Sequence, residues 1–216
     1  MSKTQLVILW GMGIVVVVVL ATLGILVSRA GRSQPPAALP SPTGPSPASP
    51  TPAQADTYRL PETPYTAKNL YARAQEAASL WQPDAALVSA AASWPFVAVD
   101  DFSEPTDWTF QFYSAATQHA YVVNVAEQTV TPIRETLVPY SQPAIAVQEW
   151  QVDSYQALNA WLNRSGGAFL KRHPVVDVSI RLARTEDTGA VWTIVGLDQD
   201  GQAAQTEYVD ASDSLP

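Results

Sequence analysis

The stretch 176–182, VDVSIRL, places Val176, Val178, Ile180 and Leu182 in strict alternation with polar residues. Successive side chains of a strand point to opposite faces, so this spacing predicts a strand with one buried and one solvated face. Such half-buried strands are typical of antiparallel sheets, because strands of parallel sheets are usually buried on both faces. An antiparallel sheet is therefore the starting prediction for the fold.

Further strands are predicted on both sides of this stretch. Residues 192–197 and 206–211 flank Asp200-Gly201, and Asp-Gly between two strand patterns is a strong hairpin signal. A second alternating pair upstream, at 108–113 and 121–125, predicts another hairpin.

Apolar residues spaced three or four apart predict three helices, so the fold class is α+β. The first helix is indicated by its apolar face, and the second is bounded by a proline at each end. The third is indicated by a capping box at its start. The residues are Leu70, Ala74, Ala77 and Trp81 for the first; Pro83, Leu87, Ala91, Trp94 and Pro95 for the second; Asp153, Gln156, Leu158, Trp161 and a terminating Gly166-Gly167 for the third.

An apolar run lies near the amino terminus. Between Leu6 and Val27 the one polar side chain is Thr22, and a run of this length spans the roughly 30 Å hydrocarbon core of a bilayer. We expect a transmembrane helix over 6–28, with 1–5 as a short cytoplasmic tail. The alternative is a cleaved signal peptide, but a cleavable apolar region is usually shorter, about 7 to 15 residues.

A proline-rich linker is predicted over 29–64. Ten prolines lie in 35–64 among Ser, Thr and Ala, a composition that buries no core and favours a semi-rigid polyproline II spacer. The competing interpretation is a docking ligand of the P-x-x-P type. Basic residues are balanced across the apolar run, so orientation follows the analogy with signal anchors: a single-pass protein of the cell membrane with its carboxy-terminal domain outside the cytoplasm.

Charge and cysteine content exclude several classes of function. The 216 residues carry a net charge of −8 and no cysteine. The negative charge disfavours nucleic acid as a partner, and the lack of thiols excludes disulfides, thiolate metal sites and a cysteine nucleophile.

Internal similarity divides the predicted domain at 65–216 into halves of approximately 65–140 and 141–216. Three residue pairs recur in the same order and predict a duplicated helix-plus-antiparallel-sheet unit. The pairs are Trp81 with Trp150, Trp108 with Trp192, and Tyr121 with Tyr208.

Several segments resemble PepSY-like domains, small extracytoplasmic modules often found in tandem. They are 152–158 (VDSYQAL), Gly166-Gly167 and 207–211 (EYVDA), and the resemblance covers about 66–213. It departs after Ala211, where the family commonly continues with x-Thr-Gly and this chain has Ser212-Asp-Ser. The resemblance implies a non-catalytic module that inhibits proteases or binds other proteins near the envelope, and it carries over no catalytic residue.

Histidine chemistry rests on His119 and His173. A serine hydrolase needs a histidine beside its nucleophile, yet no G-x-S-x-G elbow accompanies either one, so surface histidine is the favoured interpretation. Asp100, Asp101, Glu104 and Asp107 form the densest acidic cluster. It would attract a cation or a basic partner, but a solvated loop is the simpler interpretation.

Two further motifs have simpler structural interpretations. Asp198-x-Asp200-Gly201 begins like a calcium loop but lacks the later ligands, so a hairpin turn is favoured. Asn163-x-Ser165 matches a glycosylation sequon, a pattern that recurs by chance. The tryptophans of the domain lie in phase with buried faces and are expected in the core; the alternative is that some of them form a binding groove.

These observations predict a membrane-anchored, extracytoplasmic, non-catalytic binding or regulatory module for proteins or peptides. No catalytic, cofactor or metal residue is assigned and no cofactor is expected. The predicted partners are the lipid bilayer, through 6–28, and an envelope or secreted protein. The alternatives are an envelope hydrolase that uses Ser with one of the histidines, and a structural subunit of a membrane assembly.

Overall fold

The alternating stretches form one antiparallel sheet in a computed structural model that describes residues 58–127, 129–185 and 189–212. Its strand order is β4-β3-β2-β1-β5-β6-β7. The elements are α1 (Ala67–Trp81), β1 (Ala86–Val97), β2 (Asp107–Ser114), β3 (His119–Ala126), β4 (Thr129–Leu137), α2 (Ser154–Trp161), a π-helical turn (Leu162–Gly166), α3 (Gly167–Arg172), β5 (Val176–Thr185), β6 (Gly189–Asp198) and β7 (Ala204–Asp210).

The stretch 176–182 behaves as its alternation predicts. Val176, Val178, Ile180 and Leu182 are buried, and the polar residues between them are exposed. β5 pairs with β6 in unbroken register over its whole length. The hairpins predicted at Asp200-Gly201 and between β2 and β3 are also confirmed.

The second predicted helix is wrong, because the segment from Pro83 to Pro95 leads into and forms most of β1. This strand lies in the middle of the sheet, where Ala90 faces Phe110 of β2 and Leu182 of β5. Alanines favour a helix locally, but ladders on both sides satisfy the backbone of β1. Strand formation depends on such neighbours more than on local propensity.

The predicted duplicated domain is corrected to a single seven-stranded antiparallel sheet, in which four strands follow α1, three follow α3, and β1 pairs with β5. Trp81 and Trp150, which were paired as equivalents, occupy different places. Trp81 ends α1 and stacks on Tyr121 with ring centroids 4.8 Å apart, whereas Trp150 precedes α2 and is fully buried. The strand β4 was not predicted.

The transmembrane helix predicted over 6–28 lies outside the described residues, as does the linker up to residue 57. Within the described ranges, no helix is both long enough and apolar enough to cross a bilayer.

The third predicted helix begins as expected and ends later. Asp153 and Gln156 form the predicted capping box at the start of α2. Gly166 and Gly167 do not end the helical segment, because the backbone continues through the π-helical turn into α3. A Cβ on Gly167 would overlap the ring of Tyr58, so this glycine allows a close approach between the helix and the segment that precedes α1.

Trp108, Trp150, Trp161 and Trp192 lie in the core as expected, whereas Trp81 and Trp94 are only partly buried. Trp108 and Trp150 each contact Trp192 edge-on, with ring centroids 5.8 and 5.9 Å apart. All three are fully buried. Their indole N–H groups donate to backbone carbonyls of Tyr65 and Val152 at 2.8–3.0 Å, which removes the cost of burying an unpaired donor.

Candidate binding site

A bulge near the end of β1 creates an unusual surface. β1 pairs with β2 as far as Ala91, while its pairing with β5 continues to Val97. Between Trp94 and Val97 the register shifts, so Pro95 and Phe96 together lie opposite one residue of β5, Asp177. Bulges are places where a strand accepts proline, because the ladder is already interrupted there.

Phe96 is held in a strained conformation at this bulge. Its φ is 56°, in the left-handed region that costs a non-glycine residue roughly 1–2 kcal/mol. Its backbone N–H donates to Oδ1 of Asp177 at 2.8 Å, which helps to maintain the conformation. The side chain is 69% exposed, so this strained residue places a large aromatic ring in solvent.

A cavity of about 370 Å³ lies between this bulge and the loop that leads into β2. We call it the Phe96 cavity. One wall includes Trp94, whose indole N–H donates to the carbonyl of Ser103 at 2.9 Å and whose ring lies 5.0 Å from that of Phe102. The lining residues are Ser93, Trp94, Pro95, Phe96, Val97, Asp101, Ser103, Glu104, Pro105, Thr106 and Asp107.

Glu104 is the most deeply buried polar residue of the lining, with 6% of its surface exposed. Its Oε1 accepts a hydrogen bond from the hydroxyl of Ser154 at 2.5 Å. Its Oε2 is buried and accepts no hydrogen bond from the described residues. A buried carboxylate oxygen without a hydrogen-bond partner lowers the free energy of unfolding.

The first turns of two helices meet at this carboxylate. The Ala67 N–H of α1 donates to the hydroxyl of Ser154, and the Lys68 N–H donates to Oδ1 of Asp153, both at 3.1 Å. Asp153 caps α2 at the same place. Helix amino termini carry partial positive charge, which partly compensates the two neighbouring acidic groups.

Burial raises the pKa of Glu104 to about 7. Within this net value, the hydrogen bond from Ser154 lowers the pKa and the negative charge of Asp153 raises it. Loss of hydration dominates because the carboxyl lies under the loop and between the helices, where its charged form is poorly solvated.

The acidic cluster predicted from the sequence is therefore divided in two. Asp100, Asp101 and Asp107 are exposed, as a solvated loop implies, but Glu104 is buried and that interpretation is wrong for it. Its partner Ser154 is 50 residues away, so no local pattern predicts the contact. Pro95, which was interpreted as the end of a helix, was the available signal for the bulge at Phe96, because a proline inside a strand is typical of a bulge.

The two candidate histidines lie in different parts of the fold, His119 at the start of β3 and His173 directly after α3. Nδ1 of His119 lies 2.7 Å from the carbonyl of Thr117, and the hydroxyl of Ser114, its neighbour across the hairpin, donates to Asp84 instead. His173 follows α3 and packs against Phe169. In the described ranges neither histidine is hydrogen bonded to a serine hydroxyl.

The Asp198 to Gly201 segment is a hairpin turn. Oδ1 of Asp198 accepts the Ala203 N–H at 2.9 Å, and Gly201 has a φ of 66°, a conformation that glycine adopts without strain. The described part of the chain contains no group of three or more potential metal-ligating side chains.

The sequon asparagine Asn163 has a structural role together with Asn159. Each amide pairs with the backbone of an extended segment, which we call the strap (residues 58–60). Asn163 exchanges two hydrogen bonds with Tyr58 at 2.8 and 2.9 Å, and Asn159 exchanges two with Leu60 at 2.6 and 3.0 Å. The end of the predicted linker is thus fixed to α2 and its π-helical extension.

The side chains around the cavity include aromatic and acidic groups. They comprise an exposed ring, a half-buried indole and several carboxylates, and Ser154, whose hydroxyl donates to Glu104, is itself fully buried. Comparisons with protein-family models, with curated proteins and with solved structures found no match.

Proposed function

We propose that this chain is a membrane-anchored, extracytoplasmic, non-catalytic module that binds a protein or peptide at the Phe96 cavity. The observation that carries the proposal is the exposed, strained Phe96 at the edge of a cavity with an aromatic and acidic lining. Backbone strain of this kind persists where the surrounding structure enforces it and is concentrated at functional sites.

The size of the cavity supports a partner side chain as the bound group. A volume of about 370 Å³ is at the lower end of the range for small-molecule sites, roughly 300–1,000 Å³, and accommodates one or two amino-acid side chains. Phe96 offers the partner an apolar anchor, and aromatic anchors at the centre of a contact contribute strongly to the affinity of protein interfaces.

The remaining parts of the proposal rest on the sequence. The apolar run at 6–28 serves as the anchor, and the proline-rich linker places the domain at a distance from the bilayer. A cysteine-free chain makes the orientation testable. Ser49→Cys should react with a membrane-impermeant maleimide in intact cells, and protection until the membrane is permeabilised would contradict the extracytoplasmic location.

Binding itself is tested by site-specific photocrosslinking in intact cells. The photoreactive amino acid p-benzoylphenylalanine replaces Phe96 in one strain and Tyr208 in a matched strain, since Tyr208 is an equally exposed aromatic on the edge strand β7 (64% exposed). We expect a discrete protein adduct from position 96 that position 208 does not form. Identical adducts from both positions, or none from position 96, would refute binding at the cavity.

A further inference from the structure

The charge of the Phe96 cavity is one-sided. Asp101, Glu104 and Asp107 contribute to its lining, and none of the described lining residues is Lys, Arg or His. The chain as a whole carries a net charge of −8, which steers cationic groups towards such a concave acidic surface. A cationic ligand is therefore electrostatically favoured over a neutral or anionic one.

The aromatic lining favours the same class of ligand. Trp94 and Phe96 both contribute rings, and the face of an aromatic ring attracts an ammonium or guanidinium group with roughly 0.5–2 kcal/mol. Trp94 is fixed by its hydrogen bond to Ser103 and its contact with Phe102. A preorganised ring loses little conformational entropy on binding.

Glu104 provides an independent observation. It is more than nine-tenths buried, lines the cavity, and its Oε2 has no hydrogen-bond partner among the described residues. A cation in the cavity compensates the charge of this carboxylate through space, without contacting the shielded oxygen, because Coulomb attraction is strong where solvation is poor. An acidic loop without this buried oxygen would not by itself define a site.

We propose that the Phe96 cavity binds a basic side chain of its partner, the guanidinium of arginine or the ammonium of lysine, presented on an extended peptide. The proposal rests on the binding function proposed above and names its ligand class. The aromatic rings contact the cation and its alkyl stem, and the carboxylates supply the opposite charge.

Matched peptides test the charge requirement. The full chain in detergent micelles is titrated, at about 0.15 M salt to screen distant charges, against a fluorescent peptide with two arginines and against the same peptide with citrulline, an uncharged isostere of arginine. Fluorescence anisotropy gives the two dissociation constants. We expect the arginine peptide to bind at least about tenfold more tightly, the effect of losing cation–π and ionic contacts together.

Matched variants test the place of binding. Phe96→Ala and Asp101→Asn alter exposed side chains of the cavity. Each should raise the dissociation constant of the arginine peptide by about fivefold. Tyr208→Ala and Glu135→Gln remove an exposed aromatic and an exposed carboxylate from the two edge strands, β7 and β4, away from the central strand β1. These two controls should change the affinity by less than about twofold, the size of a remote screened effect.

Each remaining outcome is decisive. Equal binding of both peptides, binding of neither, or equal losses in the cavity and control variants would overturn the basic-ligand proposal. If position 96 still crosslinks to a protein in cells, the proposed binding function survives that failure. Arginine-dependent binding without any crosslink in cells would support the ligand chemistry and contradict the proposed partner.

Discussion

Replacing Glu104 by Gln should stabilise the folded chain at neutral and alkaline pH. Burial raises the pKa of this carboxyl from 4.5 to about 7. Because the raised pKa belongs to the folded state, the folded chain holds a proton that the unfolded chain has already released. Stability therefore falls as the pH rises from about 4.5 to 7, and the full cost is present above that range.

The magnitude follows from the two pKa values. At about 1.4 kcal/mol for each pKa unit, the ionised carboxylate costs roughly 3 kcal/mol above pH 7 and nothing below about pH 4. Glutamine keeps the shape and the acceptor for the Ser154 hydroxyl, but it does not titrate. If the NH₂ group of the glutamine, in the position of Oε2, lowers the free energy of unfolding, it does so by the same amount at every pH. The difference between the two chains therefore isolates the ionisation of Glu104.

Urea unfolding at pH 4.5, 6 and 8, followed by tryptophan fluorescence, measures this difference. The seven tryptophans of the chain make the signal strong. Glu76→Gln removes an exposed carboxylate from α1 and is the matched control. We expect the free energy of unfolding of the Glu104→Gln chain, relative to the parent, to increase by roughly 3 kcal/mol between pH 4.5 and 8. A difference that is constant across this range would refute the reasoning.

Three further substitutions test the backbone and the strap. Gly167→Ala should lower the free energy of unfolding by about 1–3 kcal/mol because the added methyl overlaps Tyr58, whereas Ala168→Ser at the next, exposed position should be close to neutral in urea unfolding. Asn163→Ala removes both of its hydrogen bonds to Tyr58 and should accelerate hydrogen exchange of the Tyr58 amide, with a loss of about 1–3 kcal/mol; unchanged protection would show that this asparagine does not hold the strap. Phe96→Gly should be more stable than Phe96→Ala by about 1 kcal/mol in thermal unfolding, because glycine adopts the left-handed conformation without strain, and the reverse order would contradict the strain at Phe96.

Local patterns in the sequence were sufficient for the elements whose environment is simple. The alternation at 176–182 depends on one buried face, and the capping box at Asp153 depends on atoms three residues apart. Hairpins at close range follow for the same reason, since an Asp-Gly turn constrains both flanking strands. The buried tryptophans were also predictable, because a large apolar ring in phase with a buried face is most stable in the core.

Tertiary contacts decided the features on which the proposed site depends. The alanine-rich segment of β1 has the spacing of a helix, and its pairing with β5 makes it a strand. That same pairing brings Asp177 to the Phe96 N–H across 81 residues, and packing of the loop against α2 brings Glu104 to Ser154 across 50. Periodicity records which side of an element is buried. It does not record which distant residue lies opposite, because that choice minimises the free energy of the whole sheet and its helices together.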